Sequence, residues 1–209
     1  PARRAMLWWR KSNGRLAMGM FGNDKKKSSA KLPGRLHHTA YVTKDMEATR
    51  QFYEDVIGLP LMSTFCESDE LFGAVRTYMH TFFGLADGSA LAFFQFEKPE
   101  DQEQFGPQMP FSPFHHIALF VDKQAQAEIE ARIKAAGYTE PGHFVLEHGY
   151  CRSVYVTDPN GMIVEFCCDD ADAIKDSAKW RAKAHAEMKR WLAGDHTSNN
   201  TYRREHNAA

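Results

Sequence analysis

Two histidine pairs and one glutamate carry the chemical argument in this chain. Leu36-His37-His38-Thr39-Ala40-Tyr41-Val42 returns as Phe114-His115-His116-Ile117-Ala118-Leu119-Phe120, and only the second copy is closed by an acid, in Val164-Glu165-Phe166. Alternate residues of a strand share a face, so His38 lies with Ala40 and Val42, and His116 with Ala118 and Phe120, while His37 and His115 point away. A lone histidine in such a position is ordinarily a hydrogen-bonded core or surface residue. Repeated placement together with the acid reverses that preference. If both first strands and the last strand line one cavity, His38, His116 and Glu165 converge. Two imidazoles and a carboxylate with open positions are the facial set that serves non-haem Fe(II), which needs free sites for substrate and dioxygen. Mn(II) accepts the same ligand types, and Zn(II) or Ni(II) with a closed four-ligand shell is less well served. Aligning Asp87-Gly88-Ser89-Ala90-Leu91-Ala92-Phe93 with Asn160-Gly161-Met162-Ile163-Val164-Glu165-Phe166 puts Ala92 where a second acid would stand, so a fourth protein ligand is missing.

The elements that must position these residues repeat as well. After His38, Asp45 gives an N-cap signal, Met46, Thr49, Tyr53, Val56 and Ile57 follow at helical spacing, and Gly58 stops the helix. In the second copy Asp122 opens the helix, Ala125, Ile129, Ile133 and Ala136 form its stripe, and Gly137 ends it. Three β-like runs follow each helix, near 61–65, 76–83 and 89–96, then near 143–146, 152–157 and 162–167. The expected fold is therefore α+β, a βαβββ module twice, spanning 35–98 and 113–169 within one domain at 35–169. A C-terminal helix is predicted from Asp170 to Leu192, ended by Gly194, with a polar tail to 209.

Composition narrows the function classes. Lys and Arg number 26 against 27 Asp and Glu, so no global charge points to nucleic acid. Residues 1–34 are the exception, with nine Lys or Arg and one acid, Asp24. Such a stretch reads as a solvated, flexible basic extension, and its sparse aromatics do not make an amphipathic anchor. No run approaches the roughly eighteen apolar residues of a membrane span. Cys66, Cys151, Cys167 and Cys168 show neither CxxC nor framework spacing, and no secretory leader is legible. Reduced thiols in a cytoplasm are the expectation, with neither nucleic acid nor membrane as partner. Half-open sheet edges make a homodimer plausible.

The duplicated βαβββ order, the first-strand histidines and the last-strand glutamate resemble the vicinal oxygen chelate superfamily. It includes glyoxalase I, methylmalonyl-CoA epimerase, fosfomycin-resistance proteins, bleomycin-binding proteins and type I extradiol dioxygenases. Phe52-Tyr53-Glu54-Asp55-Val56-Ile57-Gly58-Leu59 and Asp158-Pro159-Asn160-Gly161 are motifs of that superfamily and do not choose among its reactions. The run from His148 through Tyr155 and Asp158-Pro159-Asn160-Gly161 to Glu165 is similar to the extradiol ring-cleavage signature. It departs from that signature at Leu146, where a small or β-branched residue is preferred, and in offering one duplicated domain where many extradiol enzymes have two. The resemblance implies one half-barrel domain, His38, His116 and Glu165 as iron ligands, His148 as acid–base group and Tyr155 as the hydroxyl near the substrate oxygen. Because 148 and 155 differ by an odd number, an unbroken strand would put them on opposite faces. His148 is therefore expected in a loop or beyond a bulge, with Gly149 supplying the freedom.

Three functions follow. The first is an Fe(II)-dependent ring-cleaving dioxygenase acting on a catechol-like aromatic diol and dioxygen. The second is a metal-dependent glyoxalase or lyase, epimerase or thiol transferase, favoured if Glu67 or Glu97 reaches the metal. The third is a non-enzymatic small-molecule binding protein, disfavoured by the ligand set. His37, His80, His115 and His143 are read as structural or exposed, and Cys167-Cys168 as small packing residues.

Overall fold

Asp45 and Asp122 open the first helix of each half in the same way. Each is extended, and its carboxylate accepts from the backbone N–H three residues on, Ala48 or Ala125, satisfying one of the donors a helix start leaves unpaired. The structure is a computed structural model and describes residues 33–106, 112 and 114–203. The basic extension expected over 1–34 falls, up to residue 32, outside the described residues.

In the first module β1 (His38–Val42) leads to α1 (Met46–Arg50), which continues as a π-helical segment, Gln51–Ile57. Gly58 closes it at φ 91°, a left-handed conformation that a side chain disfavours. β2 (Leu61–Leu71), β3 (Ala74–Gly84) and β4 (Ala90–Phe96) complete a sheet of order β1-β4-β3-β2, with β1 parallel to β4. After α2 (Pro99–Phe105), the second module repeats the plan with β5 (His116–Phe120), α3 (Lys123–Ala135), β6 (His143–Glu147), β7 (Cys151–Thr157) and β8 (Ile163–Asp169). Its sheet has the order β5-β8-β7-β6. α4 (Ala171–Leu192) follows, capped by Asp170.

Two elements differ from the sequence expectation. β2 runs six residues past the expected end at 65, because its polar second half is exposed and carries no apolar alternation, while every residue from Ser63 to Leu71 still has a partner on β3. A two-residue turn with both residues at positive φ, Phe72 and Gly73, joins the pair. α2 was not expected. Pro99 starts it, and Asp101 forms a buried ion pair with Arg76 of β3, whose guanidinium also lies 4.7 Å from the centre of the Phe105 ring.

One core joins the halves. Phe52, Tyr53 and Ile57 pack with Phe83, Leu91 and Phe93, and Ile129 and Ile133 with Val154, Val164 and Phe166, in a single cluster. Polar bonds cross the seam too. Arg132 donates to the carbonyls of Val56 (3.0 Å) and Ile57 (2.7 Å), capping the π-helical segment from the other module. The Tyr53 hydroxyl donates to Asp158 Oδ2 at 3.0 Å, and Asp158 Oδ1 accepts from the N–H groups of Asn160 and Met162. The Asp-Pro-x-Gly motif is thus a turn that also ties the modules together. Burial raises the Asp158 pKa against these hydrogen bonds.

Candidate functional site

Even-numbered residues of β8, such as Val164 and Phe166, enter the core together with Val154 and Val156 of β7. By alternation, Glu165 and Cys167 face the other side of the sheet with Cys151, Ser153 and Tyr155. The register is the same in both modules: Ala118 and Tyr155 flank Glu165 as Ala40 and Phe82 flank Ala92. Ala92 does stand where the first module would carry its acid.

Glu165 is 5% exposed. Ser153 Oγ donates to its Oε1 at 2.5 Å, and His116 Nε2 lies 2.8 Å from its Oε2. No Lys or Arg salt bridge reaches this carboxylate among the described residues. A buried carboxylate without a cationic side chain is costly, so a metal cation fits here.

Tyr155 stacks on Phe144, ring centres 4.7 Å apart and planes at 13°, and meets the edge of His116 at 5.7 Å. Its hydroxyl lies 3.1 Å from His148 Nε2. Burial and the neighbouring Glu165 raise the phenol pKa, so Tyr155 stays protonated and donates. His148 sits just past β6, and Gly149 turns at φ 83°. Burial lowers the His148 pKa below 6.5 and Arg203 pushes it the same way, against Glu165. The imidazole is therefore neutral at pH 7 and can accept a proton.

Sequence reasoning missed three features of this site. Ser153 orients Glu165, and Cys151 stands beside it, next to Cys167, which strand alternation alone places on the face of Glu165; the positions two and four before Tyr155 were the available signal. The third is the chain after α4, which folds back so that Asn200 Nδ2 donates to the His148 carbonyl at 3.0 Å. A Cβ at Gly149 would collide with the Tyr202 backbone. No local pattern marks such a return.

His38 is not brought to the others. Its Nδ1 lies 2.8 Å from His37 Nδ1, and its ring meets His80 and Phe82 on the open face of the first sheet. No hydrogen bond or ion pair joins it to His116 or Glu165 among the described residues. Of the residues read as structural, His143 is buried, with Nδ1 2.9 Å from the Tyr155 carbonyl, and His80 stacks on Phe94 at 3.7 Å. Glu67 faces the His38 side, opposite Tyr78. A cleft of about 930 Å³ lined by Tyr41, Lys44, Phe94, Phe105 and Asn160 contains none of the five predicted site residues.

A family model described as Glyoxalase/Bleomycin resistance protein/Dioxygenase superfamily matches residues 35–166. The chain is 27% identical over 137 residues to the uncharacterized protein YwbC of Bacillus subtilis (strain 168), which covers 63% of this chain and 95% of that protein. Among solved structures, the glyoxylase/bleomycin resistance protein/dioxygenase domain from Frankia sp. EAN1pec has a TM-score of 0.51 at 14% identity, covering 68% of this chain and 95% of its own. The fosfomycin resistance protein FosX of Listeria monocytogenes, also crystallised with Mn(II) and sulfate, has a TM-score of 0.49 at 20% identity and covers 68% and 99%.

Proposed function

Because the chain belongs to the Glyoxalase/Bleomycin resistance protein/Dioxygenase superfamily, whose vicinal-oxygen-chelate fold supports metal-dependent enzymes, we propose that it is an Fe(II)-dependent extradiol-type dioxygenase. Its substrates on this reading are a catechol-like aromatic diol and dioxygen. The observation that carries the reading is the 3.1 Å contact between His148 Nε2 and the Tyr155 hydroxyl, directly beside the His116–Glu165 pair. An acid–base imidazole and a protonated phenol next to a carboxylate–imidazole pair are what deprotonation and positioning of a diol require.

Each residue has a task. His116 and Glu165 would hold the metal, with His38 as third ligand, and Ser153 keeps Glu165 Oε1 occupied while Oε2 faces His116. A metal bound there would supply Lewis acidity toward the diol oxygens. His148, neutral, takes a proton from a diol hydroxyl and returns it to the product side. Tyr155, held by Phe144, donates one hydrogen bond to the diolate oxygen.

His38 reaches this centre, on our reading, from a second copy of the chain. It lies on the open face of the first sheet with Phe65, which is 52% exposed, while Phe120, 62% exposed, lies on the open face of the second. Apolar side chains on two such faces call for cover. A homodimer that sets one face over the other supplies it and brings His38 to the partner subunit's ligands. We place the protein in the cytoplasm, where its four free thiols stay reduced, with neither nucleic acid nor membrane as partner.

Metal-dependent lyase, epimerase or thiol-transferase chemistry is the second reading. Glu67 favours it, because it shares the face of His38 and could add a fourth ligand. The deciding experiment is anaerobic reconstitution with Fe(II), then catechol or 2,3-dihydroxybiphenyl in air. A yellow ring-fission product with oxygen uptake, both absent in His148→Ala, supports the dioxygenase. Iron retention without oxygen uptake turns the assignment to the second reading.

A further inference from the structure

The open face of the second sheet carries two thiols that the proposed reaction does not use. Cys151 lies on β7 opposite Asp169, and Cys167 on β8 opposite Ser153, so the two are diagonal neighbours on one face. The candidate ligand atoms of Cys151, Glu165 and Cys167 all lie within 4.8 Å of one another. Cys151 and Glu165 are each 5% exposed. Ser153 Oγ reaches both of them, at 3.6 Å from Cys151 Sγ and 2.5 Å from Glu165 Oε1. The other cysteines are placed differently: Cys168 is turned to the opposite face of the sheet, and Cys66 is exposed on β2.

We propose that Cys151, Cys167 and Glu165 form a binding site for a thiophilic divalent cation of the Zn(II) and Cd(II) class, with a solvent molecule as fourth donor. Metal–sulfur bonds of about 2.3 Å and metal–oxygen or metal–nitrogen bonds of about 2.0–2.2 Å put tetrahedral donors roughly 3.3–3.8 Å apart. Small side-chain rotations bring the three donors to that spacing. Ser153 supplies the outer hydrogen bond that orients a ligating carboxylate. On binding, each thiol exchanges its proton for the metal and two protons leave to solvent. Two thiolates select Zn(II) or Cd(II) over Mn(II) and Mg(II), which take oxygen and imidazole donors.

The two metal assignments share Glu165. A thiophilic ion seated on the cysteines therefore excludes the ion that the His38, His116 and Glu165 set would hold. The inference concerns thiol ligation and does not rest on which reaction the enzyme performs.

The test uses the full chain, reduced and stripped with a chelator, titrated with Cd(II) alone. The expected result is one Cd(II) per chain with a cadmium–thiolate charge-transfer band in the ultraviolet, erased by excess Zn(II). Cys151→Ser and Cys167→Ser each weaken Cd(II) binding by more than about 100-fold, beyond the tenfold to hundredfold that loss of an outer-shell partner costs. Cys66→Ser and His38→Ala keep the band, so an inactive dioxygenase would leave this outcome untouched. If a serine variant does not fold, protection in the parent protein decides: Cd(II) should shield Cys167, the half-buried thiol of the pair, from iodoacetamide, read by mass spectrometry. Cadmium bound without the band, a band unchanged in both serine variants, or equal alkylation with and without Cd(II) overturns the proposal.

Discussion

The pairing of His148 with Tyr155 joins a group that accepts a proton to one that keeps its own. Burial lowers the first pKa and raises the second. Removing the imidazole with His148→Ala should lower kcat by about 10²–10⁴-fold with metal content unchanged, measured by turnover and metal analysis. Removing only the hydroxyl with Tyr155→Phe should cost about tenfold to a hundredfold in kcat/KM, the worth of one hydrogen bond beside a charged substrate. The direction of the histidine shift sets the acid limb. His148 must be neutral to act as base, and burial lowers its pKa from the ordinary 6.5, so the acid limb of kcat/KM should be centred below that of a free imidazole. An acid limb centred above pH 7 would contradict this role.

At the scale of elements, two contacts between distant segments hold the site in place. Arg132 of α3 caps the π-helical segment of the other module through two carbonyls. Arg132→Ala leaves those carbonyls unpaired and should destabilise the fold by about 2 kcal/mol, read as a fall of roughly 4–8 °C in Tm. The returning C-terminal segment is the other contact. Asn200 holds the turn that carries His148, and Arg203 lowers the pKa of that imidazole. Arg203→Ala removes a positive charge that opposes imidazolium formation, so the acid limb should move to higher pH, while parent Tm is retained. A profile that stays put or moves to lower pH would mean that Arg203 exerts no such field.

The whole molecule offers His116 and Glu165 on one open face and His38 on another. Each chain alone brings two of the three proposed ligands together, and the third arrives on our reading from a second copy. His38→Ala and Glu165→Ala homodimers should each fail to retain Fe(II). Mixed after dissociation and refolding, they form heterodimers in which one site carries both substitutions and the other carries neither. Metal content and turnover should then recover toward one site per heterodimer. With His38 acting within its own chain, every site would lack a ligand and nothing would recover.

The doubled βαβββ order, its helix caps and the placement of Ala92 opposite Glu165 were legible in the sequence, because side-chain alternation and capping are local rules and a repeat states each of them twice. His148 just outside a strand was legible too, from the odd spacing to Tyr155 and from Gly149. The extended β2 was hidden, because its exposed half has no apolar alternation and is held by backbone pairing. α2 depends on the distant Arg76. What the tertiary structure alone decided is which residues meet. Glu165 gathers Ser153, Cys151, Cys167 and His116, and not His38, because β5, β7 and β8 belong to one sheet while β1 belongs to the other. Residues from segments far apart in the chain become neighbours only through strand order and the return of the C-terminal segment, and neither leaves a periodic signal.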